Sequence, residues 1–590
     1  MSMKKNVSVL AALLLCAALS AQNINQSVQV TNDYITRFSD FQKQGGDLQV
    51  PDSLYRFDYN FDYSVFQTPY KGSYEFSPYQ IRVTPEPRVP DGKTLYLRAG
   101  AGYSFHPQFG LAWQPLQRSD AMVGVVAGLE GFAGKYRTPA QLQPGTDQLG
   151  AEFPASVSGH DLSGHFAVNG QYIAEALRIS GQLGYEGIFA GRRELVDAGK
   201  ILTTQSAQMR PLVTPLDAIG SSFNVFSAQA RVQSREQGED QMFYDIRACF
   251  RYGTQAYAAL NNRSQESNLL LNLSVGPVLQ QKYRILIDGT FEMNNVGGMM
   301  ISRAQTEPEG YAWAGYSTFE ASRATLLGSV KPHVEFLLGG VSLDAGVRLD
   351  YSSSRIGTNP GTLFTVAPDV SARLPLINAD LELFAAVSGG QSVQSLYDAK
   401  QLNHFSYRSE TAGSIGREKL RVCAGLDGHW GARLQYGVEA GFVSHGGKFL
   451  SGWLDVVQAD WREIYGEARA SWQDERLEIN GMLRYAYAKF SAEYAAYAPP
   501  AFTADLRGEY NWNRRVWAGA FLRAASARKW LAGNDPIPGY ANLGLTGRAR
   551  ITRSLGAWLE AGNLLGMAIE RAPGFIEKGP YVTVGLSLSL

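Results

Sequence analysis

The sequence is short of cysteine, of net charge and of long apolar runs, and each shortage removes a class of protein. Three cysteines are present, and one of them, Cys16, falls in the first twenty residues. The other two, Cys249 and Cys423, sit far apart in strand-like runs. Two cysteines make no disulfide framework even in an oxidising compartment, so two free thiols are expected. Lys+Arg and Asp+Glu number 54 each, which removes the basic excess a nucleic-acid binder carries. Past residue 21 no stretch approaches the ~18 consecutive apolar residues of a membrane-crossing helix. Charged residues make up 18% of the chain and aromatics 12%, and a disordered chain would lack those aromatics. A length of 590 residues also exceeds the roughly 250–300 at which a single globular core stops growing.

Chemical motifs are missing as well. The seven histidines, His106, His160, His165, His333, His404, His429 and His445, form no HExxH and no paired metal spacing, and are expected as solvated loop or lumen residues. Asp58, Asn60 and Asp62 imitate the start of a calcium loop, but the required Gly and closing Glu do not follow. No phosphate-cradling glycine loop and no defensible Ser/His/acid set is found. The expectation is a protein that is not an enzyme, with no metal and no cofactor.

What is present begins with a leader. Lys4 and Lys5 precede an apolar run from Val9 to Leu19, and small residues follow. This is the pattern of a secretory signal peptide, placed at residues 1–21, and the run is too short for a spanning anchor.

The dominant signal after it is a period of two. From Val341 to Tyr351 every odd position is apolar, and every even one is Ser, Asp, Gly or Arg. Successive side chains of a strand point to opposite faces, so one face is oily and the other charged. Similar runs surround Arg98, Arg247 with Arg251, and Glu478 with Arg484. These alternations extend about 10–12 residues, against the ~5–6 of an ordinary strand and the ~9–11 needed to cross a membrane with tilt. Many end in an aromatic on the apolar face, as an interfacial girdle requires. In hydrocarbon every backbone polar group must be paired internally, so such strands must close into a barrel. The reading is all-β: a transmembrane antiparallel up-and-down barrel over residues 93–590, with about 22 strands.

Connections support it. Long ones are expected near 135–159, 192–220, 293–318, 352–361, 391–418, 445–461, 526–538 and 566–579. Tight links fall at Arg118 to Asp120, Gln280-Gln281, Asn378-Ala379, Gly428 to Gly431, Asp474-Glu475, Asn513-Arg514 and Arg553-Ser554. Outer-membrane barrels alternate short periplasmic turns with longer outside loops in this way. The terminal run, with Val582, Val584, Leu586, Leu588 and Leu590 on one face, is expected to pair with the first strand and remove the sheet edge.

The last fifty residues, including Tyr540-Ala541-Asn542-Leu543-Gly544-Leu545, Ala557-Trp558-Leu559-Glu560, Asn563-Leu564-Leu565, Pro573-Gly574-Phe575 and the final strand, resemble the barrel of TonB-dependent outer-membrane receptors of Bacteroidota type. The resemblance covers residues from about 93 to the end. It implies a 22-stranded barrel that imports a large or scarce ligand, contacting outer-membrane lipid and TonB. The sequence departs from the family in having no recognisable plug domain: residues 22–92 are rich in Pro, Tyr and Phe and read as a periplasmic or lumen-filling segment. Within it, Ser27-Val28-Gln29-Val30-Thr31 is like a TonB box, or else part of an extended arm. The run Phe57-Asp58-Tyr59-Asn60-Phe61-Asp62-Tyr63 alternates aromatic and polar residues and suits an extended chain in the lumen or against a partner.

The candidate lumen residues are Arg98, Arg247, Arg251, Asp344, Arg348, Asp350, Glu478 and Arg484. They either serve a solute or pair across neighbouring strands to hydrate the interior. The candidate outside-loop aromatics are Tyr311, Trp313, Tyr316, Tyr397, Phe405 and Tyr407, exposed for a ligand or surface partner or else folded over the mouth. Three functions follow: an outer-membrane receptor-like barrel that transports or captures a solute, a non-transporting accessory or structural barrel subunit, and a passive porin. An unblocked bore of this size would leak, which argues against the porin.

Overall fold

The computed structural model describes residues 94–590 except 104, 138–155, 193–218, 236–240, 258–261, 280–281, 304–315, 339, 357–360, 378–379, 407–410, 453–455, 530–535 and 573–574. The leader, residues 22–92 with their TonB-box-like run, and Tyr311, Trp313 and Tyr407 therefore lie outside the described residues.

The fold is a single closed antiparallel sheet of 22 strands. Its first strands are β1 (Leu95–Gly102), β2 (Gln108–Gln117), β3 (Ala121–Arg137), β4 (Ser156–Ile173), β5 (Leu177–Arg192), β6 (Ile219–Ser234) and β7 (Gln241–Tyr257). There follow β8 (Asn262–Leu279), β9 (Tyr283–Arg303), β10 (Tyr316–Leu338), β11 (Val341–Ser354), β12 (Gly361–Ile377) and β13 (Leu381–Gln394). After a short helix α1 (Leu396–Leu402) come β14 (Ser414–Trp430), β15 (Leu434–Ser451), β16 (Val456–Gln473), β17 (Leu477–Phe490), β18 (Phe502–Trp512) and β19 (Val516–Ala525). The ring ends with β20 (Tyr540–Arg550) and β21 (Leu555–Gly562), a small separate hairpin of β22 (Glu570–Ala572) and β23 (Phe575–Ile576), and β24 (Tyr581–Ser589).

Closure is made by β24 on β1, in register from Tyr96 against Ser589 to Gly102 against Thr583. Thr94 and Leu95 both donate to the Leu590 carbonyl, so both ends of the ring meet at the end that carries the short turns. Among the described residues the 22-stranded ring has no open edge, which is the only way a sheet can satisfy its backbone groups in hydrocarbon.

Alternation holds around the wall. On β11 Val341, Val347 and Tyr351 face outward and are exposed, while Asp344, Asp350 and Ser352 face inward and are buried. Outward aromatics gather in two belts. Trp113, Tyr172, Trp430, Tyr436 and Trp512 lie toward the short-turn end, and Tyr185, Tyr252, Tyr351, Tyr485 and Tyr487 lie farther along their strands. Between the belts the exposed side chains include Leu, Ile and Val, as on Ile287, Val366, Val438 and Leu483. That is the band-and-girdle exterior of a barrel immersed in lipid.

Several expectations are corrected. Strands expected at about 10–12 residues are often longer, with 21 in β9 and 23 in β10. Pairing continues past the lipid band, where the outward face no longer alternates and the periodic signal stops. Tyr316, expected in a loop, is therefore the first residue of β10. Short connections also occur at 174–176 and between β10 and β11, which were not expected, and the link near Gly428 to Gly431 is shifted, since β14 runs on to Trp430.

Candidate functional site: the lumen wall and its mouth

Each candidate lumen residue sits on an inward-facing position and has a partner. Arg98 donates to Gln108 Oε1 at 3.3 Å and lies over the Trp558 ring at 3.7 Å. Arg247 donates to Asp245 at 3.2 Å, and Asp245 is also held by Arg231 of the neighbouring strand. Arg348 meets Asp350 at 2.8 Å and donates to the Gln391 carbonyl at 3.0 Å, while Asp350 accepts from the Gln391 N–H at 2.7 Å. Arg484 bridges Glu463 at 2.9 Å and Glu467 at 3.5 Å. Glu478 accepts from Asn480 at 2.8 Å.

Asp344 belongs to a larger group near the short-turn end. Lys331 Nζ lies 3.1 Å from Asp344 and 3.2 Å from Asp369, and His333 lies 2.8 Å from Asp344 and 3.1 Å from Asp288. Donor atoms of His333, Glu335 and Asp344 fall within 4.8 Å of one another, the one such trio among the described residues. Lys331 and Arg284 already stand among these carboxylates, with Arg284 3.6 Å from Glu335, so the group is an ion network whose acidic charge is partly offset from within. His333 was expected to be solvated; it is 3% exposed, and His106 and His445 are buried too. Asp288 and Asp344 lie on the strands flanking His333, a proximity that linear spacing does not encode.

The mouth at the opposite end is built, among the described residues, by 395–406 and 411–413, between β13 and β14. Ser395 caps α1 with a reciprocal box, accepting from the Asp398 N–H while Asp398 accepts from the Ser395 N–H. The segment then turns into the bore. The N–H groups of Leu396 and Tyr397 donate to Glu266 of β8 at 2.8 and 3.3 Å. Tyr397 Oη and Gln401 Nε2 donate to the two oxygens of Glu186 on β5, at 2.9 and 2.7 Å. Arg251 of β7 lies 4.9 Å from the Tyr397 ring. Lys400 is buried and donates to Ser221 of β6 and to the carbonyls of His404 and Ser406. His404 meets Asp161 of β4 at 2.8 Å. In a ring of 22, β4 is nearly opposite β13. Leu396 and Ala412 complete an apolar cluster with Ile188 of β5, Phe223 and Val225 of β6 and Val296 of β9.

Tyr397 and Phe405 are thus turned into the barrel, Phe405 being 8% exposed, and neither is offered to the outside. Burial among neutral acceptors draws the Lys400 ammonium down to about 7. Burial also pulls on the His404 imidazole, but the Asp161 carboxylate outweighs it and holds the imidazole above its ordinary value. Asp161, Glu186 and Glu266 escape a reading of the sequence; the signal that marks them is an inward parity on strands that continue beyond the lipid band.

A closed ring of this size with an oily skin, a charged inner wall and a loop across one mouth defines a large transmembrane β-barrel of the outer-membrane type. No known family profile matches the chain, and no curated protein matches it in sequence. Solved structures do share the fold. A copper transporter, OprC, superposes with a TM-score of 0.58 at 13% identity over 85% of this chain and 80% of that one. The FrpB iron transporter of Neisseria meningitidis (F5-1 variant) gives 0.60 at 10% identity, over 84% of this chain and 81% of that one. The ferric-catecholate import receptor Fiu of E. coli K12 gives 0.56 at 10% identity, over 84% and 82%.

Proposed function

We propose that this protein is an exported barrel of the Gram-negative outer membrane, of the TonB-dependent receptor kind and Bacteroidota type, that captures or moves a solute without chemistry. The observation that carries the reading is the pairing of an oily exterior with an inner wall of charged side chains, in a fold shared with proteins named as a copper transporter, an iron transporter and a ferric-catecholate import receptor. A wet bore lined with ion pairs suits a polar or chelated solute, and Arg98, Arg247, Arg251, Asp344, Arg348, Asp350, Glu478 and Arg484 are its proposed lining. Residues 1–21 serve as the leader. Residues 22–92 act as a lumenal or periplasmic arm in place of a full plug, with Ser27 to Thr31 as the proposed TonB contact. The end carrying residues 395–413 faces outward from the cell, available to a surface partner.

Solute-limited growth with and without a functional TonB tests the reading. Growth that needs both this protein and TonB supports it; growth indifferent to TonB removes the energised step. A second reading, a non-transporting accessory barrel, is favoured by the many bonds that tie residues 395–413 to the far wall. It predicts a barrel silent in liposome swelling that co-purifies with a partner. Free swelling by the intact protein would instead indicate a porin.

A further inference from the structure

The geometry points to a resident divalent cation of the first transition row, of the zinc kind, held by His333, Glu335 and Asp344 on the inner wall near the short-turn end. His333 and Glu335 are two residues apart on β10 and share its inward face, and Glu335 lies directly opposite Asp344 of β11. Their donor atoms fall within 4.8 Å of one another. A cation with bonds of ~2.1 Å holds its ligands roughly 3–4 Å apart, so small rotamer changes bring the three into one shell. Across from His333 on β11 stands Gly346, where a Cβ would come within 2.5 Å of the His333 Cβ. The missing side chain gives the imidazole its room.

Two observations ask for a further positive charge among these groups. Glu335 is 2% exposed, and neither of its carboxylate oxygens accepts a hydrogen bond. A buried carboxylate without donors is costly, and the Arg284 ion pair at 3.6 Å is too long to supply one. The second is the charge count. Asp288, Glu335, Asp344 and Asp369 bring four negative charges, and Lys331 and Arg284 bring two positive ones. With a neutral imidazole two negative charges are left over, the excess that one divalent cation cancels.

The donor types select the ion. An imidazole nitrogen with two carboxylates suits zinc, manganese or iron(II), whereas calcium takes oxygens alone. One Asp344 oxygen meets the imidazole Nδ1 and the other meets Lys331, and each keeps a lone pair for a metal. Asp288 lies 3.1 Å from the imidazole Nε2 with its side chain 22% exposed, and so gives the ion its way in from the bore. The ligands themselves are buried in the wall rather than displayed to the bore, so the ion is resident and the inference goes beyond solute transport.

The test uses the full-length protein in detergent, stripped with EDTA, then titrated with Zn2+ by calorimetry and with Co2+ by visible absorption. One equivalent should bind, and Co2+ should show ligand-field bands without the thiolate charge-transfer band that Cys249 or Cys423 would add. Glu335→Gln and His333→Gln should each weaken binding at least about tenfold. His429→Gln, which removes an exposed imidazole at the same end, should leave it unchanged. Heat-resistant migration on a mild gel confirms that each variant folds. Zn2+ should also raise the temperature at which the native folded form is lost, and leave that of Glu335→Gln where it was. Absence of saturable binding, or binding and thermal gain that survive both substitutions, overturns the site. Solute uptake is not the readout, so a failure of the transport reading leaves this result standing.

Discussion

His404 and Lys400 sit in one segment yet respond to pH in opposite directions. The folded His404 imidazole is held above its ordinary value, so its bond to Asp161 is fully present below about pH 6.5 and is lost as pH rises through the raised value. Lys400 is held down to about 7 by burial, so the cost of burying its charge is greatest below pH 7 and falls as pH climbs toward the ordinary lysine value. In the native chain the two effects offset. In His404→Gln only the lysine effect remains, and amide exchange within Leu396–Leu402, corrected for intrinsic rate, should slow between pH 7 and 9 more than in the native protein. Glu266 is the other residue on which α1 depends, since it accepts both N–H groups that open the helix. Glu266→Ala leaves them buried and unpaired at about 1–3 kcal/mol. Exchange at Leu396 and Tyr397 should then accelerate roughly five- to hundredfold. Sequence reading reaches Tyr397, His404 and Phe405 through their place in an aromatic-rich connection. It does not reach Asp161, Glu186 or Glu266, because contacts across a ring have no spacing in the chain.

At the scale of strands, the seam between β1 and β24 depends on two glycines that face each other. Gly100 pairs with Gly585, and the Trp558 ring lies across both. A Cβ on Gly585 would come within 2.2 Å of the Ala99 carbonyl oxygen and 2.5 Å of Trp558, and one on Gly100 within 2.3 Å of Trp558. Arg98 covers the same ring, so the tryptophan fills the surface that the glycines leave bare. Gly585→Val should overpack the seam by about 1–3 kcal/mol. The folded, fast-migrating form should then be lost at a lower temperature on a heat-modifiability gel. The closing strand was legible because its oily face is unbroken from Val582 to Leu590. The turn at Ala174-Glu175-Ala176 was not, since it has none of the Gly, Pro, Asn or Asp residues that announce a turn. Strand length was underread for a related reason: the sequence records where lipid ends, whereas pairing in β9 and β10 continues above it.

For the molecule as a whole, the question is what residues 395–413 are for, and the register of their flanks narrows it. Gln394 at the end of β13 is paired directly with Ser414 at the start of β14. Two residues so placed can be joined by a two-residue hairpin turn. The intervening chain is therefore not needed to connect the strands, and its bonds to β4, β5, β6 and β8 run into the bore. Replacing residues 395–413 with Asn-Gly should leave a barrel that still folds, with its heat-resistant migration preserved. Glu186 and Glu266 would be released into water, and both are inward carboxylates, so the widened mouth should favour cations. In planar bilayers, single-channel conductance is expected to rise above that of the native protein, with cation selectivity that Glu266→Gln reduces. A conductance unchanged by the excision would mean that the mouth is not the narrowest point. The resistance would then lie toward the short-turn end, where Lys331, His333, Asp344 and Asp369 converge, and an obstruction there would act in series with anything the mouth admits.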